Sequence, residues 1–146
     1  IGGTWRVLVY ASTVDDHAEH LVLARGDLVA PAPALVRMHA IDLVGDLVGA
    51  SMQTNIGGAM AMIAAAGRGA VVILRDGNPT ALSERVRQLD GLVRRPTQLR
   101  SYGIGAQILL DLGVREMVLL TNTPRAIVGL EGYGLRVIEQ RPIETV

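Results

Sequence analysis

Ser101-Tyr-Gly-Ile-Gly-Ala-Gln-Ile-Leu-Leu-Asp-Leu-Gly-Val-Arg-Glu-Met-Val-Leu-Leu-Thr-Asn-Thr-Pro-Arg-Ala-Ile-Val-Gly-Leu-Glu-Gly-Tyr-Gly-Leu135 is the stretch whose pattern decides the fold. Ile104 to Leu112 reads as a helix stopped at Gly113, glycine being the residue that most readily takes the left-handed backbone after a last turn. Glu116 to Leu120 is a short apolar run suited to a strand. Pro124 to Leu130 restarts a short helix, and Leu135 to Ile138 gives a last strand. Helices and strands alternating in this way predict parallel pairing through right-handed crossovers.

Upstream, Gly57 to Ala66 is rich in Ala and Met and ends at Gly67, a helix with a glycine stop, and the apolar run Ala70 to Leu74 follows as a buried strand. Thr80 to Leu92 reads as a helix with Ser83 and Glu84 near its start, bounded by Gly77, Asn78 and Pro79 before it and Gly91 and Pro96 after it. The first forty residues differ. Arg6 to Tyr10 alternates, with Val7 and Val9 on one face, and Glu19 to Ala24 and Ala34 to His39 are further β-prone runs. Gly, Asp and Pro turns separate them, and Pro31 and Pro33 cannot supply ladder donors. The expectation is an α/β fold in which three antiparallel N-terminal strands precede alternating helices and strands, in a single domain over residues 1–146.

Composition narrows the function classes. Apolar residues make up 49% of the 146 and aromatic ones only 3%, so the core must be built from Val, Leu, Ile, Ala and Met. Lys plus Arg and Asp plus Glu balance at 14 each, with no basic stripe interleaved with aromatics, which argues against a nucleic acid partner. The longest apolar stretch, around Ala59 to Leu74, is broken by Arg68 and by glycines and falls short of the roughly 20 residues a bilayer span needs. No membrane partner is expected. The chain has no cysteine and opens on Ile1 without a secretory pattern, so the cytoplasm is the expected compartment. The opening Ile also suggests a piece of a longer protein.

The run from Ser101 to Leu135 resembles the end of GTP cyclohydrolase II, the zinc enzyme that opens guanine for riboflavin synthesis. That family carries, after Arg-Val-His-Ser-Glu, a Cys-Leu-Thr-Gly-Asp-Val-Phe-Gly-Ser segment and then Cys-Asp-Cys-Gly. The same frame here reads Arg37-Met-His-Ala-Ile-Asp-Leu-Val-Gly-Asp-Leu-Val-Gly-Ala50, followed by Ser51-Met-Gln-Thr-Asn-Ile-Gly57. Arg37, His39, Leu43, Gly45, Asp46 and Gly49 match, and the three zinc positions fall on Asp42, Gln53 and Asn55. Zinc is bound by thiolate, imidazole or carboxylate, and two carboxamides are poor replacements. One carboxylate with two amides would suit a hard cation better, and even that site would be thin. Neither the zinc nor the magnesium of the family is therefore expected, and without zinc nothing brings a bound water toward a pKa of about 7.

Other elements of the family are altered too. Its Glu-Gly-Arg-Gly-Ile-Gly-Leu nucleotide loop and the tyrosine-bearing helix after it give way to Arg75-Asp-Gly-Asn-Pro-Thr-Ala81, and the segment is about a dozen residues short of the pattern, a loss of loop where sites usually lie. Tyr102 belongs to the Tyr-Gly-Ile-Gly motif and does not replace that tyrosine. The family's Asp-x-Arg pair, in which the arginine is the proposed nucleophile toward the α-phosphate, reads Gln98-Leu99-Arg100. Arg100 is kept as the catalytic position, but an amide cannot accept a proton as the aspartate would. The resemblance makes Arg37, His39, Thr121 and Arg125 the nucleotide-binding candidates, while a family lysine falls on Ala126.

Plainer roles stand beside these. Gly103 and Gly105 either cradle a phosphate at a helix N-terminus or make a tight turn into that helix. His39 is a pocket residue or an ordinary hydrogen-bonded histidine ending a strand. The cluster Asp15-Asp16-His17-Ala18-Glu19-His20 has metal-ligand residue types, but side chains entering a strand diverge, which favours a solvated turn. The methionines, Met38, Met52, Met60, Met62 and Met117, read as core filler. The resemblance implies a cyclohydrolase-like domain that has lost its chemistry and acts as a regulatory or structural partner, like the degenerate domains fused behind 3,4-dihydroxy-2-butanone 4-phosphate synthase. The alternatives are a GTP or phosphate sensor, and an active enzyme. A homodimer is expected from the family habit.

Overall fold

A computed structural model describes residues 3–13, 17–47, 55–89, 98–123 and 128–144, with the side chains of 98–101 and 128–129 outside that description. Six strands form one sheet: β1 (Arg6–Ala11), β2 (Glu19–Arg25), β3 (Ala34–Ala40), β4 (Gly69–Leu74), β5 (Glu116–Leu120) and β6 (Arg136–Arg141). The helices are α1 (Leu43–Leu47), α2 (Ile56–Ala66), α3 (Ala81–Leu89), α4 (Gln98–Asp111) and α5 (Val128–Glu131). The spatial order is β1-β2-β4-β3-β5-β6. β1 and β2 pair antiparallel, as β2 and β4 do, while β3 is parallel to both β4 and β5, and β5 to β6.

That order corrects one expectation. The first three strands are not a consecutive antiparallel set, because β4 inserts between β2 and β3 and β3 runs parallel to it. β4 is apolar along its whole length and nearly all buried, as a central strand covered on both faces must be. Leu21, Val22 and Leu23 offer it an antiparallel neighbour on one side and Val36, Arg37 and Met38 a parallel one on the other.

The sheet separates two apolar layers. Val22, Ala24, Val36, Met38, Val72, Leu74 and Met117 face α4, whose Ala106, Ile108 and Leu109 are buried against them. Val71, Val118 and Leu120 point the other way, toward Ala59 and Ile63 of α2. The β3-to-β4 crossover thus puts its helix on one face, while the β4-to-β5 connection, moving back across the sheet, puts α4 on the other. Opposite directions on opposite faces give both crossovers the same hand, as chain twist requires.

Glycines set how closely the helices approach. A Cβ on Gly105 would lie 2.1 Å from Met38 Cε, and one on Gly103 would lie 2.7 Å from Tyr133 Oη. Both sit in the second turn of α4, which begins six residues before the expected start at Ile104. Neither sequence reading of the pair therefore holds: they line the helix contacts with β3 and the turn after α5. On α2, Gly67 takes φ 79° and donates its N–H to Ile63 O at 2.8 Å, the glycine stop expected there.

β1 is an edge strand. Val7 and Val9 do share a face, but it is the exposed one, at 64% and 63% exposure, and Leu8 and Tyr10 pack inward. Tyr10 Oη donates to Asp111 Oδ2 at 2.7 Å and so ties the edge to the end of α4. Burial first, then the bond and the charge of Asp111, push the Tyr10 phenol up to about 12, against a small opposite effect of Arg6. The neutral phenol is favoured in the folded state, so this contribution is fully present below pH 10 and is lost as pH rises through about 12. Tyr10→Phe is expected to cost about 1 kcal/mol at neutral pH and to flatten the fall in stability over that alkaline window, both measurable by urea denaturation.

The remaining sequence readings fall into place around this frame. α3 ends at Leu89, and residues 90–92 of the expected Thr80 to Leu92 helix lie outside the described residues, as do Pro124 to Ile127 before α5. Of the acidic and histidine cluster, Asp15 and Asp16 lie outside as well, and Glu19 and His20 point to opposite faces. His20 is buried, and its Nδ1 accepts the Arg75 N–H at 3.0 Å, which places the ring proton on Nε2.

Candidate functional site at the carboxyl ends of the parallel strands

Chain leaves the carboxyl end of β3 toward β4 on one side and the carboxyl end of β5 toward β6 on the other. Diverging connections open a crevice between neighbouring parallel strands, the usual place for a ligand in an α/β sheet. Arg37 and Thr121 lie at that point.

Arg37 sits on the α2 face of β3 and donates Nη1–H to Leu120 O at 3.3 Å, across the β3–β5 seam. Burial pushes its guanidinium pKa down, with the fields of Tyr102 and Asp46 acting the other way. A partly desolvated guanidinium is a strong anion partner because little water has to be displaced. Thr121 follows β5, donates its N–H to Arg141 O at 2.9 Å, and accepts the Thr123 N–H on Oγ1 at 3.2 Å. The backbone there is fixed on both sides.

His39, two residues along β3 on the same face, meets Asp46 of α1, Nε2 to Oδ2 at 2.9 Å. The same Asp46 oxygen accepts the Asp42 N–H at 3.1 Å, and the Asp46 N–H donates to Asp42 O at 2.7 Å. Asp42 in turn accepts Arg85 Nε of α3 on Oδ2 at 2.8 Å. The polar chain Arg85, Asp42, Asp46, His39 thus runs from α3 through α1 to the end of β3.

The loop after β4 is occupied by its own hydrogen bonds. Asp76 Oδ1 accepts the Asn78 N–H at 2.9 Å, and Asn78 Oδ1 accepts both the N–H and the hydroxyl of Thr80 at 3.0 and 2.9 Å. Asn78 Nδ2 and Thr80 Oγ1 both reach Glu84 Oε1, so the segment caps the start of α3. These side chains are turned toward the helix rather than toward the crevice residues.

The structure therefore gathers Arg37, His39 and Thr121 at one end of the sheet. Arg100 falls in the first turn of α4, with its side chain outside the description, and Arg125 lies outside the described residues altogether. Sequence reasoning missed Arg85 and the α1 contact of Asp46. Asp46 carried a signal, since it matched the family frame; Arg85 carried none, being one more charge on a surface helix.

A mixed sheet with a half-buried arginine and threonine at its switch point defines an α/β domain. The sequence matches the GTP cyclohydrolase II family over residues 1–142, and the chain belongs to that family. Among curated relatives, the riboflavin biosynthesis protein RibBA of Chlorobium phaeovibrioides is 38% identical and that of Mycobacterium marinum 39%, each over 97% of this chain and 38% of its own length. The RibBA protein of Bacillus cereus is 37% identical over 97% of this chain and 40% of its own length. The chain thus spans about two fifths of the length of these relatives. The Chlorobium alignment is 159 residues long yet takes in 97% of 146, about 142 residues, so about 17 of its positions have no counterpart here.

The zinc of the family can be tested against the residues at its positions. Asp42 gives one carboxylate oxygen to Arg85, and a guanidinium at 2.8 Å opposes a cation at the same carboxylate. Its Oδ1 is buried without a hydrogen-bond partner among the described residues, a single oxygen where zinc takes four donors. Asn55 stands at the N-cap position of α2 with φ 55° and no side-chain cap bond, and Gln53 lies outside the described residues. One carboxylate and two carboxamides do not fit zinc. Among the described residues, no three His, Asp or Glu side chains are grouped as metal ligands, and no helix is long and apolar enough to cross a membrane.

Proposed function

We propose that this is a GTP cyclohydrolase II-like domain of riboflavin biosynthesis that is catalytically inactive and serves as a regulatory or structural partner domain. One observation carries the reading: the carboxylate at the first zinc position is held by Arg85, in a donor set unsuited to zinc. Gln98 at the family's base position adds to it, since an amide cannot take the proton that arginine would have to lose. The relatives' naming as riboflavin biosynthesis proteins supports the pathway. Residues 1–146 act as one domain in this reading, working in the cytoplasm as a homodimer and beside a fused 3,4-dihydroxy-2-butanone 4-phosphate synthase domain. GTP incubated with the protein and either zinc or magnesium is expected to release no formate above the blank; clear turnover would favour the active-enzyme reading.

The grouping of Arg37 and Thr121 at the switch point favours a second reading, in which the domain still binds GTP or another phosphate through Arg37, His39, Thr121 and Arg125, with Arg100 retained but idle. Calorimetry with GTP, pyrophosphate and flavin nucleotides separates the two: heat abolished by Arg37→Ala supports a sensor, and no heat at millimolar ligand removes it.

A further inference from the structure

The polar chain from α3 to β3 passes through Asp42, which stands at one of the family's zinc positions, and its geometry gives it a role of its own. Asp42 is the pivot. Its carboxylate takes Arg85 from α3, its N–H is taken by Asp46, and its carbonyl accepts the Asp46 N–H within α1. Asp46 then reaches His39 with the same oxygen that holds the Asp42 N–H. Three elements that share little apolar contact are joined in this way: α3 buries no residue of its own, and α1 buries only Gly45.

Gly45 is part of the arrangement. A Cβ there would lie 2.4 Å from Asp42 Oδ2, so a side chain at this position would push the carboxylate out of the place from which it holds Arg85. The side chains of His39 and Asp46 are 12% and 16% exposed, those of Arg85 and Asp42 31% and 34%, so the chain grades from a shielded inner bond to a partly wet outer one. Shielding strengthens the inner bond, and the outer pair relies on geometry rather than on a low dielectric.

We propose that Arg85, Asp42 and Asp46 form a metal-free brace that fixes His39 at the carboxyl end of β3. Asp42 and Asp46 are positioning residues in this account, acting through His39. The proposal shares with the functional reading only the unsuitability of the donor set for zinc; a brace without catalysis and a brace beside residual catalysis are both consistent with it, so formate release does not test it.

A double-mutant cycle does. Asp42→Ala and Arg85→Ala are each expected to lower the urea midpoint, and the double variant to fall no further than the worse single one, with identical curves in zinc and in a chelator. Additive losses, or a midpoint raised by stoichiometric zinc, would overturn the brace. Should Asp42→Ala fail to fold, Arg85→Met reports on the same contact, and a lower midpoint is expected for it. The positioning role is read by nitrogen NMR of the His39 ring at a pH where it is neutral. The native protein is expected to show one dominant tautomer with the proton on Nε2, facing Asp46, and Asp46→Ala to show a mixture. An unchanged ring spectrum in that variant would leave Asp46 without a positioning role and contradict the proposal.

Discussion

Arg68→Ala is expected to lower stability by about 3 kcal/mol, and Arg68→Lys to recover less than half of the loss. Arg68 follows the α2 stop and spends every N–H of its guanidinium on backbone carbonyls of the β2–β3 loop: Nε on Asp27, Nη1 on Ala32 and Pro33, and Nη2 on Leu28 and Ala30. Pro31 and Pro33 deprive this loop of two backbone donors, and its carbonyls have no strand to pair with. The planar fork meets five oxygens at once, whereas an ammonium offers three donors from one point and cannot span the loop. Half-exposure lets water replace some bonds, which keeps the figure below the sum of five charge-assisted hydrogen bonds. Urea denaturation measures it; a full rescue by lysine, or a loss under about 1 kcal/mol for alanine, would mean the loop holds itself.

Ile63→Ala is expected to cost about 3 kcal/mol, within the range for emptying a fully buried aliphatic site. Ile63 is wholly buried on the α2 face of the sheet, packed with Ala59, Val71, Val118 and Leu120. It also sits against β4, where a Cβ on Gly69 would lie 2.9 Å from it. Small residues around it, Ala59 and Gly58, bring α2 so close that a Cβ on Gly58 would lie 2.3 Å from Glu144 O, and the helix has no slack to refill a cavity. Met60→Ala on the same helix, at a partly buried position, is expected to cost about 1 kcal/mol. Equal losses for the two would show that α2 does not dock through Ile63.

Local signals were legible where local chemistry sets the structure. β5 matches Glu116 to Leu120 residue for residue, and the glycine stops at Gly67 and Gly113 take left-handed backbone, as a helix end requires. Misreadings arose where distant partners decide. Gly103 and Gly105 break helices on propensity alone, yet Tyr133, Met38 and Leu74 lie where their missing side chains would go, so close packing outweighs a cost of about 1 kcal/mol per glycine. α1 has five residues, too few for helical periodicity to register. The insertion of β4 beside β2 depends on pairing across some fifty residues of chain, which no local window contains.

The candidate site divides in the same way. Arg37, His39 and Thr121 were found through the family frame, and the parallel strands do bring them to one end of the sheet. The Arg85–Asp42 pair spans 43 positions and carries no sequence mark, although it bears most on the metal question. Arg68 was legible only as an interruption of an apolar run, because backbone acceptors leave no trace in residue identity.

On the proposed reading the family scaffold is kept while the zinc donor set is replaced. The most direct measurement is metal content per chain after equilibration of the native protein with micromolar zinc and removal of free metal. No stoichiometric zinc is predicted, in the native chain and in Asp42→Ala alike. One equivalent of zinc retained by the native chain and lost in Asp42→Ala would contradict the account.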